Sequence, residues 1–212
     1  MKPNHIFIFC DNHDEVATEL IEFGFLEGSN RIHPNQGTQN RKFYFDDFYI
    51  EILWVHDIKE VTNKLTNPTH LYERSKYNIN GTSPFGLCVN YSTQDDKLFQ
   101  NRLDYKPTYL PQNMTIEVLL NEDSMTLPWT FRWKDTLSNT KINEPINFPK
   151  QKLRKVVFGI KEHEVKNDYL QLFKSDIISF KNSTHEFLKL EFENVSDKQI
   201  KIFKTVPLSI EF

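Results

Sequence analysis

The order of predicted secondary-structure elements is the strongest constraint on the fold of this chain. A short apolar strand over His5–Asp11 leads directly into a helix, and three strand-like runs follow at Asn40–Phe45, Phe48–Val55 and Phe85–Tyr91. The same β-α-β-β-β order returns after Leu153, with little residue identity between the two copies. Because one such unit has too few strands to enclose a core alone, we expect two units packed together.

Local signals set the bounds of these elements. Asn12 is the predicted helix N-cap, Asp14 and Glu15 make the first turn acidic, and Gly24 ends the helical periodicity. Asp46 and Asp47 separate two strand-like runs as the turn of a hairpin does, so these strands are expected to pair antiparallel. The polar segment Glu27–Thr38 contains two glycines and a proline and is predicted to be a loop.

We interpret the chain as one domain of two paired modules, residues 1–93 and 151–212, joined by a connector over residues 94–150 that holds further strands. In the second module we predict a strand, a short helix and three strands. These lie at Val156–Lys161, Asn167–Lys174, Ile177–Lys181, Phe187–Phe192 and Ile200–Val206. The predicted class is α+β, with the sheets of both modules joined in one curved, mostly antiparallel cup.

Composition excludes several classes of partner. The 29 acidic and 26 basic residues give a net charge of -3 with both signs scattered, which lacks the basic stripe of a nucleic-acid-binding protein. No apolar stretch approaches the roughly 20 residues that cross a bilayer. Cys10 and Cys88 lie in apolar runs as buried free thiols do, and no secretory signal precedes the first strand, so a cytoplasmic location is expected. Strand edges make a homodimer reasonable.

Alternation along two strands places a histidine and a glutamate on the same face of the predicted sheet. His5, Phe7 and Phe9 share one face of the first strand, and the residues between them suit a covering helix. In the third strand Tyr49 and Glu51 lie opposite the continuous apolar set, so they point the same way as His5. A buried carboxylate is costly unless it is paired, hydrogen-bonded or metal-bound, which favours a functional site. The alternative is a glutamate that reaches solvent and a histidine with a structural role.

The segment RIHPNQGTQNRKFYFDDFYIEILWV, with HIFIF upstream, resembles the glyoxalase-like branch of the vicinal-oxygen-chelate superfamily, which also holds bleomycin-resistance proteins and extradiol dioxygenases. The matching residues are His5, His33, Pro34, Gly37, Thr38, Asn40 and Glu51. The resemblance covers about the first ninety residues and implies a paired β-α-β-β-β fold that cups a substrate, often over a divalent metal. It implies that His5 and Glu51 occupy metal-ligand positions. The second module departs from the pattern, since its first strand contains no histidine.

The stretch His33–Asn40, which leads into the first strand of the predicted hairpin, has the composition of a ligand-binding rim. Its side chains supply hydrogen-bond donors and acceptors without net charge, and Gly37 allows the backbone to approach a ligand closely. We expect the substrate to be bound here by Gln36, Thr38 and Asn40. The alternative is an ordinary loop whose amide side chains cap its own backbone.

Two functional hypotheses follow, since the chain lacks HExxH, CxxC, GxSxG, P-loop and GxGxxG motifs. In the first, the protein is an enzyme in which His5 and Glu51 are metal ligands or an acid/base pair. His33 is then a further proton-transfer residue, and Asn40 orients an oxygen atom of the substrate. The reaction is an isomerisation, a lyase step or a ring-opening on a small oxygenated molecule, through an enolate-like intermediate.

In the second hypothesis the cup binds or sequesters a small molecule without catalysis. Trp129 and Trp133 either pack beneath the cup, which we favour, or line it. A third alternative is a cup filled by its own side chains, in an interaction domain or dimer. In the sequestering protein the walls of the cup are formed by Phe7, Phe9, Tyr44 and Tyr49.

Overall fold

The computed structural model describes residues 1–134, 143–148, 151–193 and 198–212. In these residues the strands are β1 (Pro3–Phe9), β2 (Asn30–His33), β3 (Thr38–Tyr44), β4 (Tyr49–Val55), β5 (Phe85–Val89), β6 (Arg102–Tyr105), β7 (Ile116–Leu119), β8 (Trp129–Trp133), β9 (Leu153–Ile160), β10 (Ile178–Asn182), β11 (Phe187–Phe192), β12 (Ile200–Ile202) and β13 (Leu208–Glu211). The α-helices are α1 (His13–Glu22), α2 (Ile58–Val61), α3 (Leu71–Ser75), α4 (Tyr77–Asn80) and α5 (Tyr169–Leu172). None of these helices is long and apolar enough to cross a bilayer.

The first eight strands form one curled sheet, in the order β2-β3-β4-β1-β5-β8-β7-β6. Strand β1 lies near its centre, parallel to β4 and antiparallel to β5, and β8 pairs parallel with β5. Strands β3 and β4 form a hairpin that pairs Tyr44 with Tyr49, which confirms the turn predicted at Asp46 and Asp47. The predicted α+β class, with a curved and mainly antiparallel sheet, is confirmed.

The remaining strands form a second sheet, in the order β10-β9-β11-β13-β12. Strand β9 is parallel to β10 and antiparallel to β11, just as β1 is to β4 and β5, so the repeated element order is present. The expectation that these strands would join the cup is wrong, because β6, β7 and β8 from the connector complete it. The module boundaries after residues 93 and 150 stay predictions.

The second sheet is a separate layer because it covers the outer face of the first. The ring centroid of Phe158 in β9 lies 5.7 Å from that of Phe85 in β5, and the rings of Phe192 and Phe48 lie 6.2 Å apart. Stacking two sheets buries large apolar side chains on both facing surfaces, whereas joining them edge to edge would leave these side chains exposed. The apolar content of the C-terminal strands therefore supports a layered arrangement.

Alternation along β1 separates two apolar cores. Ile6 and Ile8 are buried on the outer face, in the core that also contains residues of α1 and the second sheet. Phe7 and Phe9 belong to a second cluster on the concave face. The predicted faces of the first strand are thus confirmed, and both cysteines are free and buried as expected.

Four strands differ from the sequence prediction. Strand β2 lies in the segment predicted as a loop, and β6 lies in the polar part of the connector. Strand β12 covers only the first three residues of the strand predicted at Ile200–Val206, and β13 lies beyond that range. The first three residues of β2 are exposed, so it shows no alternation of polar and apolar residues. It forms because its backbone pairs with β3, from Asn30 opposite Arg41 to His33 opposite Thr38. Backbone pairing of this kind leaves no hydrophobic pattern in the sequence.

A glycine beneath an aromatic ring shapes the concave face. Phe7 pairs with Gly86 across β1 and β5, and a Cβ atom at Gly86 would lie 2.0 Å from Cε1 of Phe7. The second sheet repeats the arrangement with Phe187 over Gly159, where a Cβ atom would lie 2.2 Å from Cδ1 of Phe187. The ring of Phe7 therefore lies over Gly86, in space that any side chain at this position would occupy.

We expect Gly86→Ala to lower the free energy of unfolding by about 1–3 kcal/mol, because the ring of Phe7 has to move within a packed cluster. Gly159→Ala is the matched control. Phe187 is only partly buried, so its ring has room to shift and the loss should be smaller. Denaturant titration of both variants measures the difference, and an equal or larger loss in Gly159→Ala would contradict this explanation.

Candidate functional site

A small cavity opens on the concave face of the first sheet, with a volume of about 90 Å³. At roughly 30 Å³ for each water molecule, it holds a fragment of only a few heavy atoms. Its polar lining consists of His5, Arg31, His33, Gln36, Lys42 and Glu51. Its aromatic lining consists of Phe7, Tyr49, Tyr109, Trp129, Phe131 and Trp133.

A larger groove of about 560 Å³ lies between β7 and α5, but its chemistry is different. Its lining is mainly amide, lysine and leucine side chains, with Asp168 as the one carboxylate and no histidine among the described residues. The small cavity combines a carboxyl group with two imidazoles in a largely aromatic lining. It is therefore the better candidate for chemistry.

Strand register explains why the polar side chains of the cavity meet. Lys42, Glu51 and Phe7 form one row across β3, β4 and β1. Tyr49 and His5 belong to the next row on the same face, two residues along each strand. Side chains in adjacent rows on one face of a sheet are near neighbours. The parallel pairing of β1 with β4 therefore brings the imidazole and the carboxyl group to one place.

The ring of His5 is held on three sides. It stacks on Tyr49 with centroids 4.6 Å apart, and its second aromatic neighbour is Phe131 at 5.3 Å. Nδ1 of His5 lies 2.8 Å from Oδ1 of Asn4, whose amide nitrogen donates to Asn90. The Asn4 oxygen therefore accepts, and Nδ1 carries the proton. This leaves Nε2 of His5 as an acceptor.

Burial keeps both imidazoles of the cavity uncharged. Desolvation lowers the pKa of His5 to about 3, with further contributions from the positive charge of Lys42 and from His33. Desolvation also lowers the pKa of His33 to about 3, together with the charges of Arg31 and Lys42. At neutral pH these side chains are hydrogen-bonding groups rather than cations.

Glu51 is a buried carboxyl group with a single hydrogen-bond donor among the described residues. Its side chain is 7% exposed, and Oε1 accepts a hydrogen bond of 3.1 Å from Nδ2 of Asn40. Burial raises the pKa of Glu51, and the charges of Lys42 and Arg31 and the bond from Asn40 oppose this only in part. A carboxyl group of raised pKa exchanges its proton nearer to neutral pH, as a general acid or base requires.

Asn40 fixes the orientation of Glu51. Its amide nitrogen donates to the carboxyl group and also lies 3.5 Å from Nε2 of His33, while its Oδ1 accepts a bond of 2.8 Å from the backbone nitrogen of Arg31. Both the nitrogen and the oxygen of the Asn40 amide therefore have hydrogen-bond partners. Rotation of the side chain would break at least two of these contacts.

The hydrogen-bond network continues behind Asn40. Nδ1 of His33 lies 2.8 Å from Oγ1 of Thr38, which also accepts a bond of 2.8 Å from Nε2 of Gln36. The hydroxyl of Tyr109 donates to Oε1 of Gln36 at 2.9 Å. Polar side chains are thus linked from Tyr109 to the carboxyl group at the cavity. His33 has both ring nitrogens engaged, so this arrangement leaves it no nitrogen for a substrate.

The structure brings together most of the residues predicted for the site, while their roles toward a substrate stay predictions. Thr38 and Asn40 lie behind the cavity surface, in the network just described. Phe9 is 1% exposed and packs on Phe7 outside the lining, and Tyr44 packs on Tyr49 in the same way. The predicted residues that line the cavity are His5, Phe7, His33, Gln36, Tyr49 and Glu51.

Several lining residues were missing from the sequence prediction. Lys42 lies directly opposite Glu51 in the hairpin, so the two-residue turn contained the information needed to find it. Tyr109 lies in the connector, where the sequence has no periodic pattern. Trp129 and Trp133 pack in the concave cluster and line the cavity at the same time, so the two alternatives considered for them are compatible.

The donor set does not fit the divalent metal that the family resemblance implies. In the part of the chain that the structure describes, no three His, Cys, Asp or Glu side chains converge as metal ligands do. The strands of the second module, which would supply further ligands, lie in the other sheet. Lys42 and Arg31 line the cavity beside His5 and Glu51, and their charges oppose a bound cation. No step of the chemistry is therefore assigned to a metal.

Comparison with known proteins supports the fold and leaves the activity open. No family model and no curated protein matches the chain. A hypothetical protein from Staphylococcus aureus is similar in structure, with a TM-score of 0.66 at 11% identity over 99% of this chain and 98% of that chain. The two proteins share a fold.

Structures of methylmalonyl-CoA epimerase are more distant matches. The enzyme from Streptomyces coelicolor, in complex with 2-nitronate-propionyl-CoA, gives a TM-score of 0.42 at 14% identity, over 63% of this chain and 93% of that chain. The enzyme from Mycobacterium tuberculosis gives 0.41 at 13% identity, over 62% and 86%. At this level of similarity neither match indicates an activity for this chain.

Acidification is expected to destabilise the protein through its two buried histidines. Between pH 6.5 and about 3, the unfolded chain binds protons at His5 and His33 that the folded chain excludes, so the free energy of unfolding falls as pH falls. The slope is about 1.4 kcal/mol per pH unit for each histidine. Denaturant titrations at pH 7.5 and pH 5 measure it.

The contribution of His5 is isolated by comparing, between variants, the slope of the free energy of unfolding against pH. His5→Gln should lose less stability than the wild type over this range, because glutamine does not titrate. His163→Gln is the control, since the His163 side chain is 72% exposed and lies outside the cavity, so this variant replaces a histidine without touching the buried pair. Identical slopes in His5→Gln and the wild type would show that His5 is not held uncharged in the folded protein.

Proposed function

We propose that the protein is a glyoxalase-like enzyme of the vicinal-oxygen-chelate type, which moves a proton beside a carbonyl group in a small oxygenated molecule. The observation that carries this proposal is the buried carboxyl group of Glu51, which shares a cavity with the neutral imidazole of His5. Proton transfer at carbon requires a base whose pKa is tuned toward neutrality and a surround that excludes water. Both conditions are consistent with this cavity.

In this proposal Glu51 is the base. It takes a proton from the carbon beside the carbonyl group and, once protonated, returns it to the same or the neighbouring carbon. The ammonium group of Lys42, opposite Glu51 in the sheet, stabilises the negative charge of the enolate-like intermediate. His5 accepts a hydrogen bond from a substrate hydroxyl through Nε2, because Nδ1 is occupied by Asn4.

His33 and Asn40 act as positioning residues in this proposal. Asn40 holds the carboxyl group of Glu51, and His33 holds Asn40, through contacts in which no atom is left for the substrate. This differs from the proton-transfer role expected for His33 from the sequence. Its neutral state at physiological pH suits a hydrogen-bonding role better than a titrating one.

The proposal can be tested without knowledge of the natural substrate. Short 2-oxo and 2-hydroxy acids, aldehydes and ketones are incubated with the protein in deuterated water, and loss of the C–H signal is followed by proton nuclear magnetic resonance. Enzymatic enolisation exchanges hydrogen for deuterium even where no net reaction occurs. The wild type should accelerate exchange for at least one compound of the panel.

We expect Glu51→Gln to abolish this exchange, with a loss of about 100-fold or more, because glutamine cannot accept the proton. The same variant should be more stable than the wild type at pH 8. Since the pKa of Glu51 is raised, its contribution to stability is full below the unfolded pKa of 4.5 and is lost as pH rises through the folded pKa. The gain should therefore grow with pH.

Glu117→Gln is the matched control for this variant. Glu117 is also a buried glutamate of the first sheet, but it pairs with Arg132 at 2.6 Å and with Arg102 at 2.7 Å. Its replacement weakens a buried ion pair and should cost about 3 kcal/mol of stability. Exchange activity should be retained at a temperature where the variant is folded. Normal exchange in Glu51→Gln would disprove the proposed base.

A second candidate function is sequestration of a small molecule. Six aromatic side chains line a cavity of about 90 Å³, and this surround binds a compact apolar group whether or not chemistry follows. Ligand binding without deuterium exchange in the wild type, and equal binding in Glu51→Gln, would favour this function. A homodimer and a cytoplasmic location stay predictions of the sequence.

A further inference from the structure

Two cationic side chains line the cavity from the same edge of the sheet. Lys42 of β3 lies opposite Glu51, with Nζ 5.9 Å from the ring centroid of Tyr49. Arg31 of β2 lies with its guanidinium 5.0 Å from the ring centroid of Tyr109 and donates to the backbone oxygen of that residue at 3.1 Å. Aromatic faces and a backbone carbonyl thus hold both cations beside the cavity mouth.

Neither cation has a carboxylate partner among the residues that the structure describes. The lack of a carboxylate partner distinguishes these two cations from the adjacent Arg41, which is paired. Arg41 points to the outer face of the same strand, where it pairs with Asp14 at 3.0 Å and with Glu27 at 2.5 Å. Lys42 and Arg31 form no salt bridge within 4.0 Å in the described part of the chain.

The charge balance of the lining is therefore positive. Two cations face one carboxyl group, and both imidazoles are neutral. Protonation of Glu51 would increase the net positive charge of the lining further. A concave surface of one sign attracts ligands of the opposite sign and repels those of the same sign. A cation that lacks a partner next to a low-dielectric cavity gains most from an anionic ligand.

We infer that the substrate is a short carboxylic acid with an oxygen on the carbon next to its carboxylate, and that Lys42 and Arg31 bind this carboxylate at the cavity mouth. This inference rests on the proposed function, because it takes Glu51 as the base inside the cavity. The volume of about 90 Å³ limits the rest of the molecule to a few heavy atoms. A carboxylate between the two cations directs the remaining carbons toward Glu51.

The native tryptophans make binding measurable without turnover. Trp129 and Trp133 line the cavity, whereas Trp54 stacks on His13 at the outer face with centroids 3.9 Å apart. A Trp54→Phe background therefore restricts the fluorescence signal to the cavity, since the chain contains three tryptophans. The probes are pyruvate, lactate and propionate, each compared with its neutral amide of nearly the same size and shape.

In this background the carboxylates should change the fluorescence at concentrations about tenfold lower than their amides do. Lys42→Met should abolish this preference, and Lys42→Arg should retain most of it, because the charge is kept. Arg31→Gln should reduce the preference in part, since Arg31 is exposed. Arg41→Gln is the control. It removes a cation of β3, the strand of Lys42, but from the outer face, so the preference for carboxylates should stay unchanged.

The outcomes separate this inference from the proposed function. Equal binding of acids and amides, preference retained in a folded Lys42→Met, or no response to any acid at tens of millimolar would overturn the carboxylate site. A carboxylate preference that depends on Lys42, with no deuterium exchange, would support the site and reject the proposed enzyme. Exchange that is equally fast for acids and amides would support the enzyme and reject the carboxylate substrate.

Discussion

The parallel pairing of β1 with β4 is the interaction on which the rest of the structure depends. It places Phe7 beside Glu51 and His5 beside Tyr49, and the alternation of side chains then assigns every neighbour to one of two faces. The outer face becomes a conventional apolar core under the second sheet. The concave face carries a second apolar cluster together with the polar residues of the cavity. A shift of one residue would exchange the two faces.

Two buried glutamates of the same sheet lie in different electrostatic surroundings. Glu117 faces outward between Arg132 and Arg102, and its charge is neutralised by close contacts. Glu51 faces inward with one amide donor and a cation that does not reach salt-bridge distance in the described residues. The first arrangement holds the sheet together, and removing one partner is expensive. The second leaves a carboxyl group whose pKa is raised by burial, at a cost in stability.

Much of the fold and part of the site could be predicted from residue patterns. Periodicity of two identified the faces of β1 and β4, and with them the convergence of His5 and Glu51. The hairpin turn defines the register of β3 and β4, and with it the position of Lys42 opposite Glu51. Strand β2 was missed because it is stabilised by its partner's backbone, and Tyr109 because no local pattern indicates a distant contact. The stacking of the second sheet depends on contacts between remote segments, which alternation within a strand cannot specify.

The described lining of the cavity comes from residues between His5 and Trp133, and the C-terminal sheet supplies none of it. The lining of the cavity and the supporting layer behind it therefore come from different parts of the described chain. Substitutions in the β2-β3 hairpin or in β8 are able to alter the chemistry of the cup while the supporting layer stays the same. Such a division lets one scaffold diversify its ligands without having to evolve a new core each time.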